Sequence, residues 1–332
     1  MTKISAQIVA DSSLNYINRR MTTMVVVMPR YILAEFNTHR MFSRNSASSR
    51  AIPFNKMIKM IRETPFVPIA FQKDHPGMQG TEYFSGQEAI TIRNSWLDAR
   101  WRAADEAEKV AGLGLTKQLV NRPLEAYMWH TVIVTACDWD NFFALRCPQY
   151  EYWSEEKGCF MHSKSKKDFI RDSGLLNVDK LDENSEFWFT MNRGQADIHM
   201  MALAEAMYDA YNSSIPKDLK PGEWHIPFGD SIDGHLVDKV LKDSGVNMDD
   251  MPDDIAWGHI QGVKIKIATA RCARISYTVV GEENKPDNYE ADVKLHDRLA
   301  KSGHWSPMEH IARAMTLDEF NECRSTEISA IN

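Results

Sequence analysis

Residues 22–50, TTMVVVMPRYILAEFNTHRMFSRNSASSR, change character twice. Thr22 to Pro29 is short, apolar and rich in β-branched residues, which reads as a buried strand closed by Pro29, a residue that cannot donate to a sheet ladder. In RYILAEFNTHR, Ile32, Leu33 and Phe36 recur at helical spacing, so a helix is expected to deliver His39 and Arg40. The ten residues MFSRNSASSR then carry four serines, an asparagine and two arginines, a composition that leaves the helix for a polar turn. Hydroxyls, amides and guanidiniums on a tight turn make a concavity of donors suited to phosphate, because Arg forms planar charge-assisted pairs and turn N–H groups add partial positive charge. The same composition also fits a solvated serine-rich loop.

Working outward, Ser95 to Val110 is expected to be helical, with Gly112 or Gly114 as its stop, and Thr116 can cap a short helix, KQLVNR. HTVIVTA reads as a strand and Asp138 as the cap of a helix over WDNFFALR. QADIHMMALAEAMYDAY has a helical pattern, VKIKIA alternates like a strand, and NYEADVKLHDRLAKSG is a helix stopped at Gly303. Ser306-Pro307-Met308-Glu309 matches a capping box with Pro at the first helical position, which puts His310 in the first turn that follows. Residues 51–86 read as irregular, 147–194 as a charged peripheral insertion, and 216–258 as loop-rich with one short helix around Leu236 to Leu241.

A chain of 332 residues with 43% hydrophobic composition can bury a sizeable core. A net charge of -7 argues against a surface that grips a nucleic acid polymer, since phosphate neutralisation needs clustered Lys and Arg, yet it leaves room for a small anion in a local basic pocket. The first residues lack an apolar signal region and Met24 to Pro29 is too short to span a bilayer, so no membrane association and a cytoplasmic location are expected. Cys137, Cys147, Cys159, Cys272 and Cys323, an odd set without CxxC spacing, fit free thiols.

THRMFSRNSASSR resembles the RHR-containing motif of the flavin-dependent thymidylate synthase (ThyX) family: His39, Arg40, Ser43, Asn45, Ser48 and Arg50 match it in place, while Thr38 stands for the first Arg and Ser46 for a usual Glu. The resemblance implies flavin contact for Thr38, His39, Arg40 and Ser43, and nucleotide contact for Ser46, Ser48, Ser49 and Arg50; Glu35, where the family often has Gln, would face the nucleotide too. TACDWDNFFALR is similar to a second family segment, with Asn141 and Leu145 on the flavin side and Arg146 activating the pyrimidine. A guanidinium can hold negative charge developing on the ring oxygens, although an Arg at a helix C-terminus also simply complements the dipole. In LTKQLVNR, Lys117, Asn121 and Arg122 compete for the phosphate, with Arg122 favoured. In QADIHMMALA, Gln195 and Asp197 occupy the places of a family AQxE pattern.

ARCARISY and SGHWSPMEH look like the family's opening segment, but here they come last. A circular permutation with its break after the Glu309-His310 pair accounts for that order, and it requires His310 to return beside the strand at Thr22 to Met28, where Ser276 and His310 would line the flavin and folate side. What the resemblance implies is a single domain over 1–332 with an α/β (α+β) ThyX-like fold, a mixed or antiparallel sheet with flanking helices, and peripheral insertions at 55–93, 147–194 and 216–258. The implied reaction moves a one-carbon unit from methylenetetrahydrofolate to C5 of dUMP, with FAD as cofactor, NADPH as reductant, and a homotetramer that shares its sites. Rivals are a pyrimidine nucleotide hydroxymethylase acting on dUMP or dCMP, and a non-catalytic nucleotide-binding paralogue. The chain holds no GxGxxG after a strand and no Walker A loop, no His or Cys pair with zinc spacing, and no cysteine beside an activating His, so neither a metal nor a thiol nucleophile is expected.

Overall fold

The computed structural model describes residues 3–76, 80, 82–175, 177–182, 185–275 and 288–323. Its strands are β1 (Ser5–Leu14), β2 (Arg19–Pro29), β3 (Ser43–Ser46), β4 (Trp129–Ala136), β5 (Tyr150–Ser154), β6 (Cys159–Ser163), β7 (Lys217–Asp218), β8 (Trp224–His225) and β9 (Ala312–Arg313). Its α-helices are α1 (Leu33–Phe36), α2 (Phe54–Glu63), α3 (Gly86–Gly112), α4 (Lys117–Val120), α5 (Asp140–Arg146), α6 (Lys166–Asp172), α7 (Glu186–Met191), α8 (Ile198–Ser213), α9 (Gly234–Asp243), α10 (Asp253–Arg274) and α11 (Tyr289–Lys301). The class is mixed α/β, as expected. Five strands form the main sheet in the order β3-β4-β2-β1-β7, antiparallel except for the parallel β1–β7 pair.

Side chains alternate across a strand, and both faces of this sheet are covered. That is why every residue of β4 is buried and why its sequence reads as an almost unbroken apolar run. On one face Met24, Val26, Met28, Val132, Val134 and Ala136 pack against Phe142 and Phe143 of α5 and Met200, Leu203, Ala204 and Met207 of α8. On the other, Val27 and Trp129 meet α2 and α3 through Met57, Met60, Ile61, Ala104 and Ala107, while Thr23 and Thr135 face the segment that ends at His310. A helical layer of α9, α10 and α11 has its own cluster around Val237, Leu241, Val263, Ile267 and Tyr289. The 147–194 stretch carries a β5–β6 hairpin, α6 and α7 around Tyr150, Phe169, Val178 and Trp188.

Several local expectations are corrected. VKIKIA lies inside α10, because its alternation also satisfies helical spacing: Val263 and Ile267, four residues apart, face the helical core, and the alanine-rich continuation favours helix. RYILAEFNTHR makes only a 3-10 turn, Arg30–Ile32, and the single turn of α1, so Thr38, His39 and Arg40 sit in the following turn. Residues 51–86 contain α2, and 216–258 holds α9 and the start of α10. The capping box does not form: Ser306–His310 is a 3-10 turn with no side-chain cap, and Ser306 Oγ is engaged elsewhere. No helix among the described residues is long and apolar enough to cross a membrane, and all five cysteines are unpaired.

Candidate functional site

Arg146, the last residue of α5, is the hub of a polar cluster. Its Nε donates to His39 Nε2 at 3.0 Å and its Nη1 to Glu35 Oε1 at 2.6 Å. Those bonds fix the guanidinium plane, and Nη2 makes no hydrogen bond among the described residues. Because His39 accepts on Nε2, its ring proton sits on Nδ1. Burial, aided by the charges of Arg146 and Arg44, lowers the His39 pKa and keeps the ring neutral. Arg44 also donates to the His39 carbonyl at 2.7 Å, and the ring stands edge-on to Phe142 at a centroid distance of 4.9 Å.

The Glu35 carboxyl is pushed up by burial and by nearby Asp197, against the pull of Arg146. Asp197 is the N-cap of α8, accepting from His199 N at 2.8 Å and Met200 N at 3.3 Å, and it lies 3.1 Å from His199 Nδ1. His199 Nε2 accepts from Ile69 N at 3.0 Å, which places the His199 proton on Nδ1 toward Asp197 and the Tyr31 hydroxyl. The Arg146–His39–Glu35 group and the Asp197–His199–Tyr31 group are thus separate hydrogen-bonded sets, related through the charge of Asp197 on Glu35.

The serine-rich loop builds a second cluster. Ser49 Oγ donates to Glu125 Oε1, and the same carboxylate pairs with Arg122 Nη1 at 2.9 Å and Arg30 Nε at 3.5 Å. Arg50 reaches Gln118 Oε1 at 3.3 Å and Lys117 Nζ the Ala51 carbonyl at 3.3 Å. Arg30 and Arg122 therefore share the carboxylate of Glu125, while Arg50 and Lys117 bond to the neutral oxygens of Gln118 and Ala51, a local cationic excess on an acidic chain. Of the three contenders for phosphate, Asn121 is fully buried and donates to the carbonyls of Ser49 and Ile52 at 2.7 and 3.0 Å, so it is a strut. Lys117 and Arg122 are exposed. Ser48 is half-buried, and its carbonyl accepts from Ala51 N at 2.9 Å.

The carboxyl-terminal segment docks on the other side of β3. Ser306 Oγ donates to Asn45 Oδ1 at 3.0 Å, and Asn45 Nδ2 donates to the Cys272 carbonyl at 3.3 Å. His310 is fully buried, with Nδ1 2.8 Å from Thr135 Oγ1. Thr135 pairs across the sheet with Thr23 of β2 and with Ser43 of β3, and Ser46 pairs with Val132. Thr135 points away from the face that α5 covers, because neighbouring Val134 and Ala136 point toward it. Within one chain Arg146 and His310 therefore lie on opposite faces of the sheet. The edge strand β3 touches both, through Arg44 on one side and Asn45 on the other.

Thr38, Arg40, Asn141 and Gln195 are exposed, and Thr38 Oγ1 donates to the Glu35 carbonyl at 2.7 Å. Gln195 Nε2 donates to the Arg193 carbonyl at 3.2 Å. Met41, next to Arg40 in the chain, is 76% exposed, and Leu145, one turn after Asn141 in α5, is 55% exposed. Ser276 lies outside the described residues. Sequence reasoning missed Tyr31, Arg44, His199, Thr23, Thr135 and His225. Two threonines inside otherwise apolar strands were the available signal, since a polar side chain at a buried position needs a partner.

No family model matches the chain, and no curated protein sequence matches it. Among solved structures, it is similar to a UMP/dUMP methylase, PolB, from Streptomyces cacaoi. Against the complex with 5-Br dUMP the identity is 12% and the TM-score 0.37, over 64% of this chain and 91% of that one. Against the complex with 5-Br UMP the identity is 17% and the TM-score 0.35, over 44% and 78%. Likeness this low leaves the reading of the chain to its own side chains.

Proposed function

We propose that the chain is a flavin-dependent enzyme of the thymidylate synthase type, moving a one-carbon unit from methylenetetrahydrofolate to C5 of dUMP with NADPH as reductant. The observation that carries this reading is the docking of the SGHWSPMEH segment on β3 and β4, by Ser306 to Asn45 and His310 to Thr135, whose hydroxyl lies 2.7 Å from that of Thr23 in β2. A rearranged motif order calls for His310 beside the strand at Thr22 to Met28, and it reaches that strand through Thr135. The donor set fits a flavin: Thr38, His39, Arg40 and Asn141 offer hydrogen bonds, and uncovered Met41 and Leu145 offer an apolar bed for a flat ring system. A second protomer would close that surface, in keeping with a shared-site oligomer.

When bound, the flavin would supply the reducing equivalents. The chain's own residues would do the rest. Arg50, Lys117 and Arg122 would hold the nucleotide phosphate. Arg146, its plane already fixed by His39 and Glu35, would aim its remaining N–H groups at a pyrimidine oxygen and hold the charge that develops there without reorganising. Glu35 would face the same ring.

The test is direct. Purified protein incubated with FAD, gel-filtered and scanned should carry a flavin absorbance band. With dUMP, folate donor and NADPH, the nucleotide product should gain a methyl mass. A hydroxymethyl gain would assign the hydroxymethylase reading, and colourless, inactive protein would assign a binding role.

A further inference from the structure

Five buried side chains form an unbroken line of hydrogen bonds through β1, β2 and β4. Ser12 Oγ lies 2.9 Å from His225 Nδ1, and His225 Nε2 lies 2.8 Å from Thr23 Oγ1. Thr23 Oγ1 is 2.7 Å from Thr135 Oγ1, which is 2.8 Å from His310 Nδ1. None of the five is more than 7% exposed. At the far end His310 Nε2 is buried with no partner.

Each hydroxyl owns one proton and each neutral imidazole owns one, and with the protons of buried Thr23 and Thr135 kept inside the line only two arrangements satisfy every link. In the first, Ser12 donates to His225 Nδ1, His225 Nε2–H to Thr23, Thr23 to Thr135 and Thr135 to His310 Nδ1, which leaves His310 Nε2 a donor. In the second every bond is reversed and His310 Nε2 is an acceptor. Both rings carry the same tautomer in either arrangement.

We propose that Ser12, His225, Thr23 and Thr135 are a proton relay that sets the tautomer of His310 and switches its Nε2 between donor and acceptor. In one passage the His310 Nε2 proton leaves to a base on a bound ligand. His310 Nδ1 takes the Thr135 proton, Thr135 takes that of Thr23, Thr23 takes that of His225 Nε2, and His225 Nδ1 takes that of Ser12, which regains one from water. One proton enters, one leaves, and neither ring becomes charged.

Staying neutral is what the surroundings require. Burial holds both imidazoles down to about 4, with the two rings disfavouring each other's charge at His310. The carboxylate acting on His225 is Asp11, itself tied to Arg20 at 2.7 Å and to Thr22 at 2.9 Å.

The relay is a property of the resting chain, whereas its use in turnover rests on the function proposed above. Nitrogen-15 NMR of histidine-labelled protein at neutral pH reads the tautomers. The relay requires matching tautomers at His225 and His310 in the unmodified chain, and opposite tautomers overturn it whatever the variants do. Thr23→Val leaves Thr135 with His310 as its one partner, so His310 should become solely the Nε2–H form, and Thr23→Ser should restore the original spectrum. A Thr23→Val chain in which His310 carries its proton on Nδ1 overturns the relay. In turnover, Thr23→Val should lower kcat by about 10²-fold with KM nearly unchanged, the loss of one proton-transfer route. Matched tautomers in a protein without turnover would leave the relay standing and remove the proposed function instead.

Discussion

Lowering the pH from 7 to 5 should cost this fold about 5 kcal/mol, because three imidazoles are buried in its sheet without charge. Burial holds His130 at about 3 and His225 and His310 at about 4, against an ordinary value of 6.5. Their side chains are 0–2% exposed, so the shifts are little screened by solvent. In this window the unfolded chain binds protons that the folded chain refuses, so stability falls as pH falls through 6.5. Integrating between pH 7 and pH 5 gives about 2 kcal/mol for each ring. Glu35 and Glu205, whose carboxyls are raised by burial, work in the opposite sense near their own titration and offset part of the loss. Urea unfolding followed by tryptophan fluorescence at the two pH values measures the difference. His130→Gln, which keeps an acceptor near the Arg30 contact at 3.3 Å, should shrink that difference by about 2 kcal/mol. A chain equally stable at both pH values, or a variant with an unchanged difference, would refute the argument.

Arg146→Ala should retain bound flavin by absorbance yet lose about 10²- to 10³-fold in single-turnover rate, and Arg146→Lys should recover little because it lacks the two-armed fork. The same Arg146→Ala change should cost at most about 1 kcal/mol in unfolding, since its pair with Glu35 is partly exposed; a larger loss would mean that the activity fell with the fold. Arg122→Ala combined with Arg50→Ala should weaken dUMP binding by about 1.5–3 kcal/mol per contact in calorimetry, and equal affinity would remove the phosphate assignment. Leu145→Glu should abolish flavin retention and protomer association while leaving the circular dichroism spectrum unchanged; a variant that still binds FAD would show that this surface is not the flavin bed.

The sheet was legible in the sequence where its chemistry was local. Val25, Val26 and Val27 announce β2, where one face is buried and the other half-buried, and the β-branched HTVIVTA announces β4, which is buried on both faces. Helix α8 was equally plain. VKIKIA misled because six residues cannot separate two periods when residues four apart are both apolar. For the site, Glu35, His39 and Arg146 could be singled out one by one from two motifs. That they share hydrogen bonds depends on how α1 and α5 meet, which no spacing encodes. His225 carried no signal at all: its partners Ser12 and Thr23 lie more than 200 residues away in the chain.

The hydrogen-bond line from Ser12 to His310 ties the start of the chain to a point 298 residues later. At ribosomal rates of about 5–20 residues per second, Ser12 of β1 exists for roughly fifteen seconds to a minute, and Thr135 of β4 for roughly nine to thirty-five seconds, before His310 emerges. Until then Thr135 has a vacant side facing an unfinished interior. A nascent chain of this protein is therefore long exposed to chaperones and proteases, and a stop codon anywhere before residue 310 would release a polypeptide whose oldest strands had never been closed.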